Sequence, residues 1–497
     1  MLEYTITRTA GIGKQGLFMQ PSTGEIIVFV KRECETCRMV RPVLRQMAER
    51  GLPLTVYSQD APDFLPEGVH AVDDTALEQS WRFDVEAVPT LVRMADGREV
   101  DRVAGWDRER WQVLTSSADL GADLPEQRPG CGAKNAAPGM AEALALRFGG
   151  IALASRRIEI DAEADEIEAC YTRGWTDGLP VVPPTEVRVA RMLQGTVRPP
   201  NVEIGVIPPN MTALTVEKAA VNAVMAGCRP DYLPIVLAAV EAACMEDFCM
   251  HGLLATTYFS SPVAVVNGPV ARAVGMNSGI NVFGQGNRAN ATIGRALQLI
   301  IQNVGGGRPG EVDRATFGTP GKFGFCFAED EAGSPWEPLS VERGFAEDAS
   351  TVTLFAGGEV HGVFDQLSRT PESLAKTYAA CLRRVAHPKI PMAADAMLVV
   401  SPEHGRVFRE AGWTKADLKQ ALDDLLQIPG SELVRGARGI AEGVPEDFAA
   451  STLPKFRPGG LDVVHAGGAA GLFSAVIAGW VASGRMGSQS VTREIQS

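Results

Sequence analysis

No basic run of five or more residues occurs in this 497-residue chain, and acidic residues outnumber basic ones by 60 to 47. The formal net charge of −13 repels a phosphate backbone, which argues against a nucleic-acid partner. Cysteine is sparse: nine residues in this length do not make a disulfide scaffold. The opening MLEYTITRTAGIGKQG has no apolar signal core, so export is not indicated and a reducing cytoplasm is expected. Long uncharged runs are scarce too. Residues 466–484, AGGAAGLFSAVIAGWVASG, would about span a bilayer but are rich in glycine and follow Asp462 and His465. They read as a buried glycine loop followed by a core helix, with no membrane partner.

What is present fits a folded protein: 45% hydrophobic and 22% charged residues. The chain is too long for one core, so two to four domains are expected. The first strong pattern is EIIVFVKRECETCRMVRPVLRQMAERG, residues 25–51. EIIVFV reads as a buried strand. Val40, Val43, Leu44 and Met47 recur at helical spacing, with Arg38, Arg41 and Arg45 off that face. Cys34 therefore falls where a strand ends and a helix begins, and Cys37 lies one turn in. Free N–H groups at a helix start favour a thiolate there. A redox pair, a metal clip and a packing role are the three readings. The clip lacks a second CxxC or a His pair nearby in sequence.

Downstream, LPLTVYSQD reads as a strand. ALEQSWRFDVEAVPTLVRMADGREVDRVAGW then reads as helix, Val-Pro-Thr, strand, Asp-Gly turn and strand. This order, with Cys34-Glu35-Thr36-Cys37 and Pro89-Thr90, resembles the thioredoxin fold over about residues 20–118. The resemblance implies a domain over 1–118, a cis Pro89 facing the cysteines, Cys34 as attacking thiol and Cys37 as resolving thiol. The sequence departs from the family in two places. Glu35-Thr36 stands where thioredoxins carry Gly-Pro, and Val28 stands where they bury an acid. Glu33 and Glu35 should disfavour the thiolate, against Lys31, Arg32 and Arg38.

Residues 119–160 begin DLGADLPEQRPGCGAKNAAPGM and read as a linker. In it, Cys131 between two glycines, near Arg128 and Lys134, is expected to be exposed with a lowered pKa, and reads either as a functional thiol that shuttles between domains or as an incidental loop residue.

From 161 to 497, helical periodicities alternate with β-branched runs at 262–269, 350–358, 396–405 and 461–468. The whole is therefore α/β: the thioredoxin-like domain, then a larger region with a mixed sheet and flanking helices. Sites in such sheets lie past the strand ends. That selects His404, at the third position of a helix opened by Ser401-Pro402, and His465, before a glycine loop opening a helix. Asn281, Gly284, Gly286, Asn287, Arg288 and Arg295 precede or open the strongest helix and suit a carboxylate or phosphate. Asp177, in a proline-rich turn, is a further candidate for the substrate site, and equally a turn former. Cys249 and His251, in CMEDFCMHG, are candidate ligands for a divalent metal, while Cys244 and Cys381 read as core.

The expected function is a thiol–disulfide oxidoreductase acting for an α/β domain that binds a small anionic substrate. An external thiol would serve as reductant, and the chain would form a homo-oligomer. The alternatives are an assembly scaffold with a docking thioredoxin-like domain, and a metal-dependent lyase or hydrolase.

Overall fold

The computed structural model describes residues 25–149, 152–161, 164–480 and 487–496, and the chain divides into two compact units, Met1–Ala152 and Leu153–Ser497. The first unit runs β1 (Ile26–Val30), α1 (Glu35–Met39), α2 (Arg41–Glu49), β2 (Leu54–Ser58), β3 (Ala71–Asp73), α3 (Glu78–Arg82) and β4 (Ala87–Val88). It continues with β5 (Thr90–Ala95), β6 (Arg98–Ala104), β7 (Trp106–Asp107), α4 (Arg108–Thr115), β8 (Gln127–Arg128), β9 (Cys131–Gly132) and α5 (Met140–Phe148).

Five strands form one sheet in the order β3-β2-β1-β5-β6. β1 to β3 are parallel, while β5 and β6 run antiparallel and join through Asp96-Gly97, both at positive φ. β1 is central, which is why all five of its residues are apolar and buried. α2 buries Val43, Leu44 and Met47 against that core, each contributing about 1.5–3 kcal/mol. This is the face the spacing predicted.

The segment expected as a linker differs. Over 120–149 it is folded onto the first unit. β8 pairs with β7, and β9 pairs with β4. Trp106 donates its indole N–H to the Pro125 carbonyl at 2.7 Å, and Gly121 packs against the same ring where a Cβ would come within 2.5 Å of it. The glycine and proline content that suggested freedom instead allows close backbone approach.

In the second unit, the mixed sheet has the order Cys326–Ala328, Ser261–Asn267, Thr351–Phe364, Phe473–Gly479, Ala396–Val400, Leu461–His465. Val491–Glu494 pairs with the Thr351–Phe364 strand as well. Helices Val216–Ala226, Leu233–Ala243 and Arg288–Asn303 share one apolar cluster with this sheet, and Pro371–Leu382, Pro402–Ala411 and Lys415–Leu425 pack in another. Cys244 and Cys381 are half-buried at the margins of these clusters.

Residues 466–480 correct the expectation of a helix. Phe473–Gly479 is a strand, paired antiparallel on both sides with Thr351–Phe364 and Ala396–Val400. An apolar run of this length suits either state, and two waiting strand edges decided it. The rest of the stretch, 481–486, lies outside the described residues. Among the described residues no helix is long and apolar enough to cross a membrane.

Candidate redox site

Cys34 caps α1 in extended conformation, and its sulfur accepts the Cys37 N–H at 3.4 Å. As a thiol it reaches the Val88 carbonyl at 3.2 Å, next to the cis Val88–Pro89 peptide. Both Cys34 and Cys37 are fully buried.

Four donors surround the Cys34 sulfur. The Cys37 thiol contributes most, and the Cys131 thiol and the N–H groups of Cys37 and Cys131 add to it. These bonds hold the Cys34 pKa down to about 5, although burial pushes the other way. Cys37 is pushed far up, first by burial and then by the Cys34 sulfur it serves. The pair thus divides into a thiol held low enough to ionise at neutral pH and a partner held high enough to stay protonated. The flanking glutamates take little part. Glu35 pairs with Arg128 at 2.6 Å, and Glu33 lies 3.7 Å from Lys134.

Cys131 corrects one expectation. It is half-buried, and its pKa is raised, because its thiol donates to Cys34, which carries the negative charge. It belongs to the first unit, opposite Val88 in the β4–β9 pair. The backbone partners of Lys31 and Thr36, and the part played by Val88, escaped sequence reasoning. Lys31 Nζ donates to the Gly132 carbonyl at 2.7 Å, and Thr36 Oγ1 to the Pro129 carbonyl at 2.7 Å. The glycines on both sides of Cys131 were the available signal.

In the second unit the expected anion-binding groups are occupied by protein. Arg295 holds Asp177 through two 2.8 Å bonds and also donates to the Leu179 and Pro180 carbonyls. Arg288 Nε donates to the Gly227 carbonyl. Asn287 caps the Arg288–Asn303 helix, Asn281 donates to the Gln285 carbonyl, and a Cβ on Gly284 would strike Asn281. Gly286 sits at positive φ in the same loop. The geometry is that of a loop tied by its own amides.

His404 is buried between Ser474 Oγ (2.8 Å) and the Asp365 carbonyl (3.0 Å). Only an N–H can face a carbonyl, so neutral His404 carries its proton on Nε2. His465 ends its strand with Nδ1 at 3.2 Å from the Asp330 carbonyl, and its buried Nε2 has no hydrogen-bond partner. Burial lowers the pKa of both rings. The glycine loop after His465 opens a strand, so the expected helix N-terminus for an anion is not there.

Among the described residues no three His, Cys, Asp or Glu side chains are placed to hold a metal. His251 is exposed, and Cys249 adopts φ +52° ahead of the Met250–Ala255 helix. The expected Cys249–His251 metal site is therefore not assembled.

The sheet order, the Cys34–Cys37 pair and the cis Val88–Pro89 peptide are those of a thioredoxin-like domain. The same segment is similar to thioredoxin H-type 1 of Nicotiana tabacum, 33% identical over 87 residues, or 18% of this chain and 60% of that protein. It is also similar to a thioredoxin of Mycobacterium bovis, 37% identical over 73 residues, or 14% and 53% of the two chains. Thioredoxin H2-1 of Oryza sativa subsp. japonica is 33% identical over 85 residues, 17% and 52%. The chain spans between half and two thirds of the length of these curated relatives. No family model matches the chain.

Proposed function

We propose that the first unit exchanges disulfides with Cys34 as nucleophile and Cys37 as resolving thiol, using an external thiol as reductant. The observation that carries this reading is the division of the pair: four donors on Cys34 and a fully buried, protonated Cys37. Cys34 attacks a disulfide, one of its sulfurs leaves as a thiolate and a mixed disulfide forms. Cys37 then gives up its proton and attacks the Cys34 sulfur, so that Cys34–Cys37 closes and the second sulfur leaves and takes up the proton. Equilibration of the full chain in glutathione buffers tests this. A reversible two-electron Cys34–Cys37 couple is expected, lost in Cys34→Ser and Cys37→Ser. Thiols that stay reduced across the whole range would refute it.

The second unit is proposed to bind the small anionic client of this redox unit. The cavity available for it, about 880 Å³ beside Trp175, is lined by Arg156, Arg157, Lys218 and Arg308 and by Glu159, Glu166, Glu186 and Glu217. Arg157 pairs with Glu186 and Glu217 accepts two backbone N–H groups, which leaves Arg156, Lys218 and Arg308 as the cations for an anion. Titration with inorganic phosphate and with short dicarboxylates, in wild type and in Lys218→Ala/Arg308→Ala, is the test. Binding should weaken at least tenfold in the variant, and equal binding would remove the cavity from the reading.

A further inference from the structure

The redox site carries a polypeptide strand of its own. β9 lies antiparallel on β4, with Cys131 opposite Val88 and Gly132 opposite Ala87. The Ala133 N–H continues the ladder to the Glu86 carbonyl at 2.9 Å. Strand addition of this kind is how an extended peptide docks on an exposed edge. Three further contacts fix it over the cysteines. Thr36 holds the Pro129 carbonyl, Lys31 holds the Gly132 carbonyl, and Arg128 pairs with Glu35. A buried latch follows. Asn135 donates to the Ser80 and Val85 carbonyls, and Gln59 joins Asn135 to the Lys134 N–H.

Approach is close enough to demand glycine. A Cβ on Gly130 would stand 2.8 Å from the Val88 carbonyl oxygen, and one on Gly105 would stand 2.9 Å from the Arg128 carbonyl oxygen. The consequence is burial: Cys34 is fully covered, while Cys131 keeps partial exposure with its thiol on the Cys34 sulfur.

We propose that residues 127–133 are a tethered substrate strand, with Cys131 as the sulfur that exchanges with Cys34, and that a polypeptide disulfide reaches Cys34 only when this strand is displaced. This rests on the reading of Cys34–Cys37 as an exchanging pair. A low-molecular-weight disulfide exchanges first at the half-exposed Cys131. Cys34 then attacks the Cys131 sulfur and releases the small thiolate, and Cys37 attacks Cys34 to give the Cys34–Cys37 form. From that form the Cys131 thiolate can attack Cys34 again. The Cys131–Cys34 bond forms and the Cys34–Cys37 bond breaks. Cys37 leaves as a thiolate and takes up the proton that Cys131 lost. No electrons leave the protein, and the oxidation now includes Cys131, the half-exposed sulfur that a solvent thiol can attack.

The test uses the full chain in wild-type, Cys37→Ser, Cys131→Ser and Gly130→Val forms. Each is oxidised with oxidised glutathione, blocked and mapped by mass spectrometry without reduction. Cys37→Ser should trap Cys34–Cys131 as the main product. In the reduced proteins, iodoacetamide should modify Cys34 at least tenfold faster in Gly130→Val than in wild type. Cys131→Ser, which keeps the strand, should leave Cys34 protected. A Cys37→Ser protein with Cys34 joined to glutathione and Cys131 free would overturn the tethered strand. So would equal Cys34 labelling in wild type and Gly130→Val. A Cys34–Cys37 bond that still forms in Cys131→Ser would leave the parent reading standing. Failure of wild type to form any disulfide would sink both.

Discussion

Replacing Cys131 by alanine removes one of the four donors on the Cys34 sulfur and keeps another, the residue's own N–H. A hydrogen bond to a charged group contributes about 1.5–3 kcal/mol, and about 1.4 kcal/mol corresponds to one pH unit of titration midpoint. A thiol is a weak donor, so the lower end applies. The midpoint for Cys34 should climb by about one pH unit above its present value of about 5. Ultraviolet thiolate absorbance against pH reads it, with Cys34→Ser as the blank, and Cys131→Ser should move it less because a hydroxyl still donates. The sign carries into stability. The folded pKa of Cys34 lies below that of an unfolded thiol, about 8.5. Its stabilisation is therefore complete above about 8.5 and lost as the pH falls through about 5. The reduced protein should weaken over that window, and Cys34→Ser should be flatter there. A midpoint unchanged in Cys131→Ala would refute the hydrogen-bond account and leave the thiolate to other causes.

Further outcomes follow from the second unit. Arg295→Ala leaves the half-buried Asp177 carboxylate without its partner and should cost about 1–3 kcal/mol, seen as a lower denaturant midpoint, with Asp177→Asn/Arg295→Gln recovering part of it; an unchanged midpoint would mean the pair contributes nothing to stability. His404 titrates below its unfolded value, so its stabilisation is present above about pH 6.5 and lost as the pH falls toward the folded value. His404→Gln should flatten that acid limb in pH-dependent melts, and an identical limb counts against the burial of the ring. Thr414 and Asp417 form a capping box, so Thr414→Ala should lower stability by about 1 kcal/mol in chemical denaturation, whereas no change would show the cap to be redundant.

Elements whose pattern is local were legible in the sequence. β1 and α2 follow from an unbroken apolar run and a helical stripe. The Phe473–Gly479 strand was not legible, because only its neighbours distinguish it from a buried helix. Arg295 and Asp177 looked like site residues for a related reason. A charge beside glycines suits an anion equally well whether the anion is a ligand or a carboxylate 118 residues away in the same chain. The role of Cys131 was half legible. Its glycine neighbours marked a backbone held close to something, but the something, Val88, lies 43 positions earlier in the chain, opposite it in the ladder.

That separation bears on how the redox site chooses its partners. A free thioredoxin-type groove selects among all peptides that can add to its edge. A strand fixed by the Thr36, Lys31 and Asn135 contacts is present at a far higher effective concentration than any diffusing peptide. An outside polypeptide must therefore displace the whole ladder, latch included, before it meets Cys34. A small thiol or disulfide need only reach the half-exposed Cys131. The domain should then discriminate by size before it discriminates by sequence. Reduction of a macromolecular disulfide should be slow in wild type and at least tenfold faster in Gly130→Val, while exchange with glutathione changes little between them. If both substrates speed up equally, the strand is not the gate.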